Sequence, residues 1–319
     1  MALDRNIVLE SASCCLGCEG GDEILFSAHD LLHDIPGTYN VVKCRNCGLM
    51  RTNPRPAPES IGIYYPENYG PYLAPSVTLS KQGVRGEFKK FLKPLVNRIF
   101  NSHGTVLPPL TPGSMLEFGC AAGSFLHHMA EKGWRVQGIE FSEKAAQEAQ
   151  KLGVPVYAGA LENAPQPNQP FDLIVGWMVL EHLHDPVGSL KKLREWANPG
   201  AWMALSIPNA GSLEFRLFKD KGFALQLPTH LYHFTPQSLE KVLNAGGWRL
   251  EKIYHQRTLN NFIGSLGYVL REQGYTSLSL KLIEFPGKGG VLNYILYPLS
   301  WLLSIFGQTG RMTVWVKKN

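Results

Sequence analysis

The sequence predicts an α/β fold in which a parallel sheet carries helices on both faces, preceded by a small cysteine-bearing module and interrupted by a helical insertion near the C-terminus. Two observations carry this prediction. From residue 114 onward, apolar runs of strand length alternate with segments of helical periodicity. Glycine, proline and serine stand at the boundaries of these segments, where they favour caps and turns. The chain has 319 residues and is 44% hydrophobic, so it can bury a full core.

Composition and charge exclude several classes of protein. The net charge of +5 is too small to indicate a nucleic-acid partner. The first residues lack the long apolar stretch of a secretory signal. The longest apolar run, 291–306, is broken by polar residues and is shorter than the roughly 20 residues that span a bilayer. We therefore expect a soluble, cytoplasmic protein without a transmembrane segment, whose six cysteines are thiols or metal ligands.

The pattern divides the chain into three segments. Residues 1–55 hold five of the six cysteines, together with short β-like runs. Residues 56–112 form a linker rich in proline and tyrosine, with a helical pattern over 81–101. Residues 113–319 carry the alternating pattern, with insertions at 209–234 and 258–308.

Within the third segment, the elements can be assigned in order. Ser142 is placed as a helix N-cap, and Gly133 as the stop of the preceding helix. The predicted strands are 115–118, 135–140, 154–157, 171–177, 201–207, 248–255 and 312–316. The predicted helices are 124–132, 142–152, 186–197 and 235–246, and residues 258–308 are helical and apolar.

The cysteines near the N-terminus indicate a metal site. Cys15 and Cys18 form one C-x2-C pair, and Cys44 and Cys47 form a second. Two such pairs can supply four thiolates to a structural zinc ion. Redox pairing is the alternative, but one pair would suffice for it. Cys14 is a spare cysteine that can substitute as a ligand.

A glycine loop follows the first strand of the sheet. It runs Gly119-x-Ala121-x-Gly123, with Glu117 two residues before the first glycine. Small residues at a strand-to-helix turn let a ligand approach the backbone. A dinucleotide-binding loop would read G-x-G-x-x-G and place a phosphate there, whereas the acid favours a cationic or amine-bearing ligand. A plain tight turn in an unrelated α/β fold is the third possibility.

This loop resembles the first motif of class I methyltransferases that use S-adenosylmethionine (SAM), with Ala121 in place of the middle glycine. A Rossmann-like sheet follows from the resemblance. Glu140, at the tip of the second strand, is placed to accept the ribose hydroxyls, a feature that NAD-binding folds share. The resemblance implies that SAM is contacted by Glu117, Gly119, Cys120, Ala121, Gly123, Glu140, Phe141, Ala160, Leu161 and Trp177.

The string FDLIVGWMVLEHLHDP, residues 171–186, resembles the fourth motif of the same superfamily. His182 follows this strand at the ligand-binding edge, where it can act as a general base or orient an acceptor. Alternatively, Glu181 and His182 fix the loop by hydrogen bonds. Met178 stands where some related small-RNA methyltransferases carry the first glutamate of a magnesium site, so we expect no magnesium site of that kind.

The resemblance extends through PTHLYHFTP, residues 228–236. His230 and His233 in this string can hold or move a proton, although helix capping and loop packing explain each of them equally well. We take His182, His230 and His233 together as the catalytic candidates.

Over nearly its whole length the chain resembles bacterial methyltransferases with an N-terminal zinc ribbon, including sugar C-methyltransferases. This implies methyl transfer from SAM to a small-molecule or glycosidic acceptor in polysaccharide or secondary-metabolite synthesis. An RNA methyltransferase that grips its substrate with the ribbon, and a SAM-binding interaction protein without turnover, remain open. A homodimer, and peripheral membrane contact through the apolar run at 291–306, are further possibilities. We expect no nucleic-acid partner.

Overall fold

A computed structural model of the chain describes residues 7–65, 106–288 and 291–319. The helix predicted over 81–101 and most of the tyrosine-rich segment lie outside these residues. The strands are β1 (Leu9–Glu10), β2 (Asp22–Ala28), β3 (Tyr39–Cys44), β4 (Met50–Thr52), β5 (Arg55–Pro56), β6 (Ser114–Phe118), β7 (Arg135–Glu140), β8 (Val156–Ala158), β9 (Phe171–Trp177), β10 (Ala197–Pro208), β11 (Tyr232–His233), β12 (Trp248–His255) and β13 (Arg311–Lys318).

Nine α-helices occur in these described ranges, and two of them begin at the predicted positions Ser142 and Thr235. Ser142 accepts the backbone N–H of Ala145, and Thr235 forms a capping box with Ser238. The helices are α1 (Ser124–Glu131), α2 (Glu143–Lys151), α3 (Pro186–Glu195), α4 (Leu213–Phe218), α5 (Pro236–Ala245), α6 (Asn260–Glu272), α7 (Thr276–Lys288), α8 (Val291–Ile295) and α9 (Tyr297–Ile305).

Seven strands form the central sheet, in the order β12-β13-β10-β9-β6-β7-β8. The pairs among β6 to β10 are parallel, as predicted. β13 instead runs antiparallel to both of its neighbours. The helices of the insertion join the end of β12 to the start of β13. No crossover returns the chain to the opposite end of the sheet, so β13 runs antiparallel to β12. The mixed α/β fold is thus confirmed, with its last strand reversed.

Apolar side chains of the central strands fill the core. Leu173, Ile174 and Val175 of β9 are fully buried, as are Leu116 and Met203 on neighbouring strands. Continuous apolar runs of this kind are typical of strands covered on both faces. The carboxyl ends of these strands therefore project from a rigid sheet, which fixes the residues that follow them.

The N-terminal segment shares a sheet with the rest of the chain. Its four-stranded sheet has the order β11-β4-β3-β2, and β11 belongs to the insertion after β10. Tyr232 pairs with Arg51, and His233 with Met50. Thr52 also donates its backbone N–H to Leu231 at 3.0 Å. The cysteine-bearing segment is therefore joined directly to the strand that carries His233.

The helical insertion exposes an apolar surface. Ile295 and Phe306 are 67% and 68% exposed, and Trp301 is 44% exposed. Among the helices of the described ranges, none is long and apolar enough to cross a membrane. Further exposed apolar residues on α7 to α9 are Leu278, Leu280, Leu292, Tyr294, Leu299, Leu302 and Ile305.

Candidate functional site

The loop between β6 and α1 has a left-handed backbone at three positions. Gly119, Ala121 and Gly123 have φ values of 72°, 47° and 77°. A Cβ on Gly119 would lie 2.3 Å from Cγ2 of Val179, and one on Gly123 would lie 2.6 Å from Cβ of Ala149. Packing and backbone conformation therefore both require glycine at these two positions. Ala121 keeps the left-handed turn of the motif despite its methyl group.

Two buried carboxyl groups lie beside this loop. Glu140 accepts the backbone N–H groups of Ala121 and Ser142, each at 2.8 Å. Oε2 of Glu117 is buried and has no hydrogen-bond partner among the described residues. Burial, followed by the nearby charge of Glu140, raises the pKa of Glu117 well above its ordinary value. An unpartnered carboxyl group at this position suits a ligand that donates a hydrogen bond, such as an amine.

The other predicted cofactor residues also follow strands of this edge. Phe141, directly after β7, is 50% exposed, whereas Leu161 is buried. Ala160 precedes a short 3-10 helix after β8. Trp177 ends β9 and packs edge-on against Phe125, with ring centroids 5.4 Å apart. The four strand ends therefore present these residues along one edge of the sheet, as predicted for a ligand at the carboxyl ends of parallel strands.

Cys120, in the same loop, is buried in the core. A Cβ on Gly138 would lie 2.7 Å from its sulfur. Burial raises the pKa of its thiol above the ordinary value. Its side chain therefore packs against β7, and only its backbone is suited to line a ligand.

His182 and His230 lie together, with ring centroids 4.6 Å apart. Nδ1 of His182 lies 2.9 Å from the carbonyl oxygen of Thr229 and 2.8 Å from the hydroxyl of Tyr65. Nδ1 of His230 lies 2.9 Å from the carbonyl oxygen of Ala224. Because a carbonyl oxygen only accepts hydrogen bonds, each Nδ1 carries a proton and each Nε2 keeps its lone pair.

His233 is connected to this pair through the N-terminal segment. The buried hydroxyl of Thr52 donates to the carbonyl oxygen of His230 at 2.7 Å and lies 3.1 Å from Nε2 of His233. Since that hydroxyl proton is already used, Nε2 of His233 is the donor in the second bond. Burial lowers the pKa of His182 to about 4 and the pKa of His233 to about 3. These imidazoles are therefore neutral at pH 7, with one nitrogen each that can accept a proton.

Buried charged side chains lie near these histidines, and Glu181 is the one among them that the sequence singled out. Burial raises the pKa of Glu181 to about 8 and the pKa of Glu214 to about 7, while the charge of Arg311 opposes both shifts. Nε of Arg311 has no hydrogen-bond partner in the described part of the chain. A small, partly open pocket adjoins this group and is lined by Pro208, Asn209, Ala210, Ser212, Glu214, Phe215, Gly222, Ala224, Leu225, His233 and Gly310.

Four of the residues at this site were missed at the sequence level. Tyr65 falls in the tyrosine-rich segment, and that composition was its one signal. Thr52, Glu214 and Arg311 belong to no motif. Their contacts join residues that are far apart in the sequence; Thr52, for example, lies 178 residues from His230.

The cysteine cluster differs from the predicted one by one residue. Sulfur atoms of Cys14, Cys18, Cys44 and Cys47 all lie within 4.8 Å of one another. The prediction of Cys15 as a ligand is therefore corrected to Cys14. The thiol of Cys15 points instead toward Tyr232, with which it forms a hydrogen bond. The spacing that matters is thus C-x3-C followed by C-x2-C.

The four sulfurs fit a zinc ion. Sγ of Cys14 and Sγ of Cys47 are 3.5 Å apart. Four thiolates at about 2.3 Å from a tetrahedral zinc ion stand roughly 3.8 Å from each other. Gly48 has a φ of 78°, and its N–H donates to the carbonyl oxygen of Cys44 at 2.9 Å, as expected at the turn of a knuckle. The donor set and spacing therefore suit zinc, whose binding stays a proposal.

Several known methyltransferases are similar to this chain over part of its length. One curated relative, a ubiquinone biosynthesis O-methyltransferase of Nitrosospira multiformis, is 33% identical over 30% of this chain and 43% of its own length. The chain thus spans less than half of that relative. A SAM-dependent methyltransferase structure from Mesorhizobium loti aligns with a TM-score of 0.46 and 14% identity, over 71% of this chain and 97% of the other. One from Thermotoga maritima, described as a possible histamine N-methyltransferase, aligns with a TM-score of 0.45 and 19% identity, over 74% and 96%.

A family described as a methyltransferase domain matches residues 85–253, which is more than half of the chain. The match includes the glycine loop, both buried acids and the strand that leads to His182. The chain therefore belongs to this family of methyltransferase domains.

Proposed function

We propose that this protein transfers a methyl group from SAM to a small-molecule acceptor at the carboxyl edge of its central sheet. The observation that carries the proposal is the glycine loop at Gly119–Gly123. Its left-handed backbone lies beside two buried acids, and Gly119 approaches Val179, which precedes His182 by three residues in the chain. Family membership supports the same chemistry.

In this proposal the loop and the two acids hold SAM. The unpartnered Oε2 of Glu117 is available to a donor such as the SAM amino group. Each oxygen of Glu140 already accepts one backbone N–H, and each retains a second acceptor site for a ribose hydroxyl. Phe141, Ala160 and Leu161 would border the adenine, and Trp177 would border the reacting sulfonium.

The acceptor would enter from the histidine side of the loop. His233 lines a small pocket with Glu214 and Asn209, which together offer proton-accepting and hydrogen-bonding groups. The names of the curated relatives support an oxygen acceptor on a small molecule. A glycosidic acceptor, in polysaccharide or secondary-metabolite synthesis, is the finer proposal from the sequence.

Such a site accelerates methyl transfer mainly by placing the acceptor atom in line with the methyl group of SAM. The acceptor atom attacks the methyl carbon, the carbon–sulfur bond breaks, and its electron pair returns to sulfur to give S-adenosylhomocysteine. The acceptor proton passes to a neutral imidazole of the set His182, His230 and His233. Burial keeps these imidazoles neutral at pH 7 and leaves each with a free lone pair, but it also makes them weaker bases than a free imidazole, so placement of the acceptor carries most of the rate.

We also propose that a structural zinc ion on Cys14, Cys18, Cys44 and Cys47 supports the acceptor side. β4 follows the second knuckle, pairs with β11 and carries Thr52. The hydroxyl of Thr52 bonds the carbonyl oxygen of His230 and Nε2 of His233. The zinc ion would therefore stabilise the positions of both histidines through β4, without contacting them.

The test is transfer of labelled methyl from SAM to two classes of acceptor, phenols and nucleotide-linked sugars. We expect label in one class and a large loss of transfer in His233→Gln. His128→Gln is the matched control, because His128 lies on the exposed face of α1. SAM binding without transfer to either class would favour a binding protein without turnover.

A further inference from the structure

We propose that Glu181, His182 and His230 form a second metal site, separate from the cysteine cluster, for a divalent transition-metal ion. The inference deepens the proposed function, on which its catalytic meaning rests, but the site itself is argued from its own geometry. One potential ligand atom from each residue lies within 4.8 Å of the others. Two imidazoles and one carboxylate are a donor set that zinc and iron(II) use in proteins.

Both imidazoles are oriented as metal ligands usually are. The Nδ1–H of His182 points at the carbonyl oxygen of Thr229, and the Nδ1–H of His230 at that of Ala224, each at 2.9 Å. A backbone carbonyl that accepts the Nδ1 proton fixes the tautomer and leaves Nε2 to coordinate an ion. Metal-bound histidines usually have a partner of this kind on the nitrogen that faces away from the ion.

The carboxyl group of Glu181 gives an independent reason for an ion. Glu181 is fully buried, and neither of its oxygens has a hydrogen-bond partner within the part of the chain that the structure describes. A buried carboxyl group without partners is strongly unfavourable unless something compensates it. The guanidinium of Arg311 acts on this carboxyl group through its charge but makes no hydrogen bond to it. A cation held jointly with His182 and His230 would supply the missing direct contact.

The three proposed ligands come from two separate segments of the chain that contact each other. Glu181 and His182 lie in the short 3-10 helix that follows β9, whereas His230 comes from the insertion after β10. The two segments already touch, because the backbone N–H of Leu231 donates to the carbonyl oxygen of Glu181 at 2.8 Å. An ion would therefore lock the acceptor-side loop onto the strand that borders SAM.

The donor chemistry selects the kind of ion. Magnesium prefers oxygen ligands, whereas this cluster offers two imidazole nitrogens and a single carboxyl group. Imidazole with one carboxylate suits zinc, iron, cobalt or manganese. Three protein ligands would leave at least one coordination position that the protein does not fill. His233 would then be the histidine of the predicted set that remains to accept the proton.

Zinc content of the full-length protein tests the proposal. After chelator treatment and reloading with zinc alone, we expect two ions per chain, one of them in nitrogen and oxygen coordination by X-ray absorption at the zinc edge. Glu181→Gln, which is isosteric, and His230→Gln should each lose that ion and keep the sulfur-bound one. His184→Gln is the matched control, since His184 bonds the carbonyl oxygen of Pro56 and lies outside the cluster.

The outcome is read together with S-adenosylhomocysteine binding on the same samples. A single ion per chain with pure sulfur coordination overturns the proposal, even if the nucleoside binds. Retention of the second ion by Glu181→Gln also overturns it. Two ions with the expected losses, but no nucleoside binding, would support the metal site and remove the proposed function instead. If His230→Gln does not fold, His182→Gln replaces it in the comparison.

Discussion

Replacing Gly119 with alanine tests whether the glycine loop is shaped by its contact with the segment after β9. The added methyl group would lie 2.3 Å from Cγ2 of Val179, well inside van der Waals contact. The φ of 72° adds a second cost, because a side chain in the left-handed region is unfavourable by about 1–2 kcal/mol. Overpacking adds about 1–3 kcal/mol. We therefore expect the free energy of unfolding to fall by roughly 2–5 kcal/mol.

A double-mutant cycle separates the two costs. Val179→Ala removes Cγ2 and should relieve the clash but not the backbone strain. The double variant Gly119→Ala/Val179→Ala should therefore be more stable than the sum of the single variants by about 1–3 kcal/mol. Urea unfolding of the four proteins measures this coupling. If the two effects add without coupling, the loop does not pack on Val179 and the account of the site is wrong.

Three further predictions concern the parts that support the site. Cys14→Ser should lose zinc from the sulfur site, whereas Cys15→Ser should keep it, because Cys14 stands in the cluster and Cys15 faces Tyr232; equal loss by elemental analysis would restore Cys15 to the ligand set. Thr52→Val should lower stability by about 1–3 kcal/mol and lower methyl transfer, because the backbone carbonyl of His230 and Nε2 of His233 lose the buried hydroxyl that bonds them; Thr38→Val, on the exposed surface, is its control. Burial raises the pKa of Glu214 to about 7, so between the unfolded value near 4.5 and about 7 the folded chain holds a proton that the unfolded chain has lost. The free energy of unfolding should therefore fall by up to about 3 kcal/mol as pH rises from 4 to 8. Urea titrations of Glu214→Gln should lack this pH-dependent loss, and an unchanged pH dependence in that variant would contradict the assignment to Glu214.

Local periodicity accounts for much of what the sequence predicted. The strands from β6 to β10 and the helices between them were assigned because each carries a complete signal in consecutive residues, such as Ser142 at the start of α2. The direction of β13 carries no such signal. It depends on where the helical insertion returns the chain, which residues 311–318 alone do not encode.

In the site, too, local motifs were predictable from the sequence and contacts between distant residues were not. Glu117 and Gly119 were predicted because their motif is short and continuous, and Glu140 because it ends the next strand. The choice between Cys14 and Cys15 was missed because the two are adjacent, and only the fold decides which sulfur faces the cluster. Thr52 and His233 meet through the pairing of β4 with β11, across 181 residues of sequence. No local pattern predicts a contact of that separation.

Calorimetric titration with S-adenosylhomocysteine tests the central claim, SAM binding at the glycine loop, most directly. The unmutated protein should bind one molecule per chain, and Glu140→Ala should weaken binding by about 1–3 kcal/mol, because the ribose hydroxyls lose their acceptor. Glu143→Ala, an exposed acid three residues away at the start of α2, should bind as the unmutated protein does. No binding by the unmutated protein, or equal binding by Glu140→Ala and Glu143→Ala, would contradict the account.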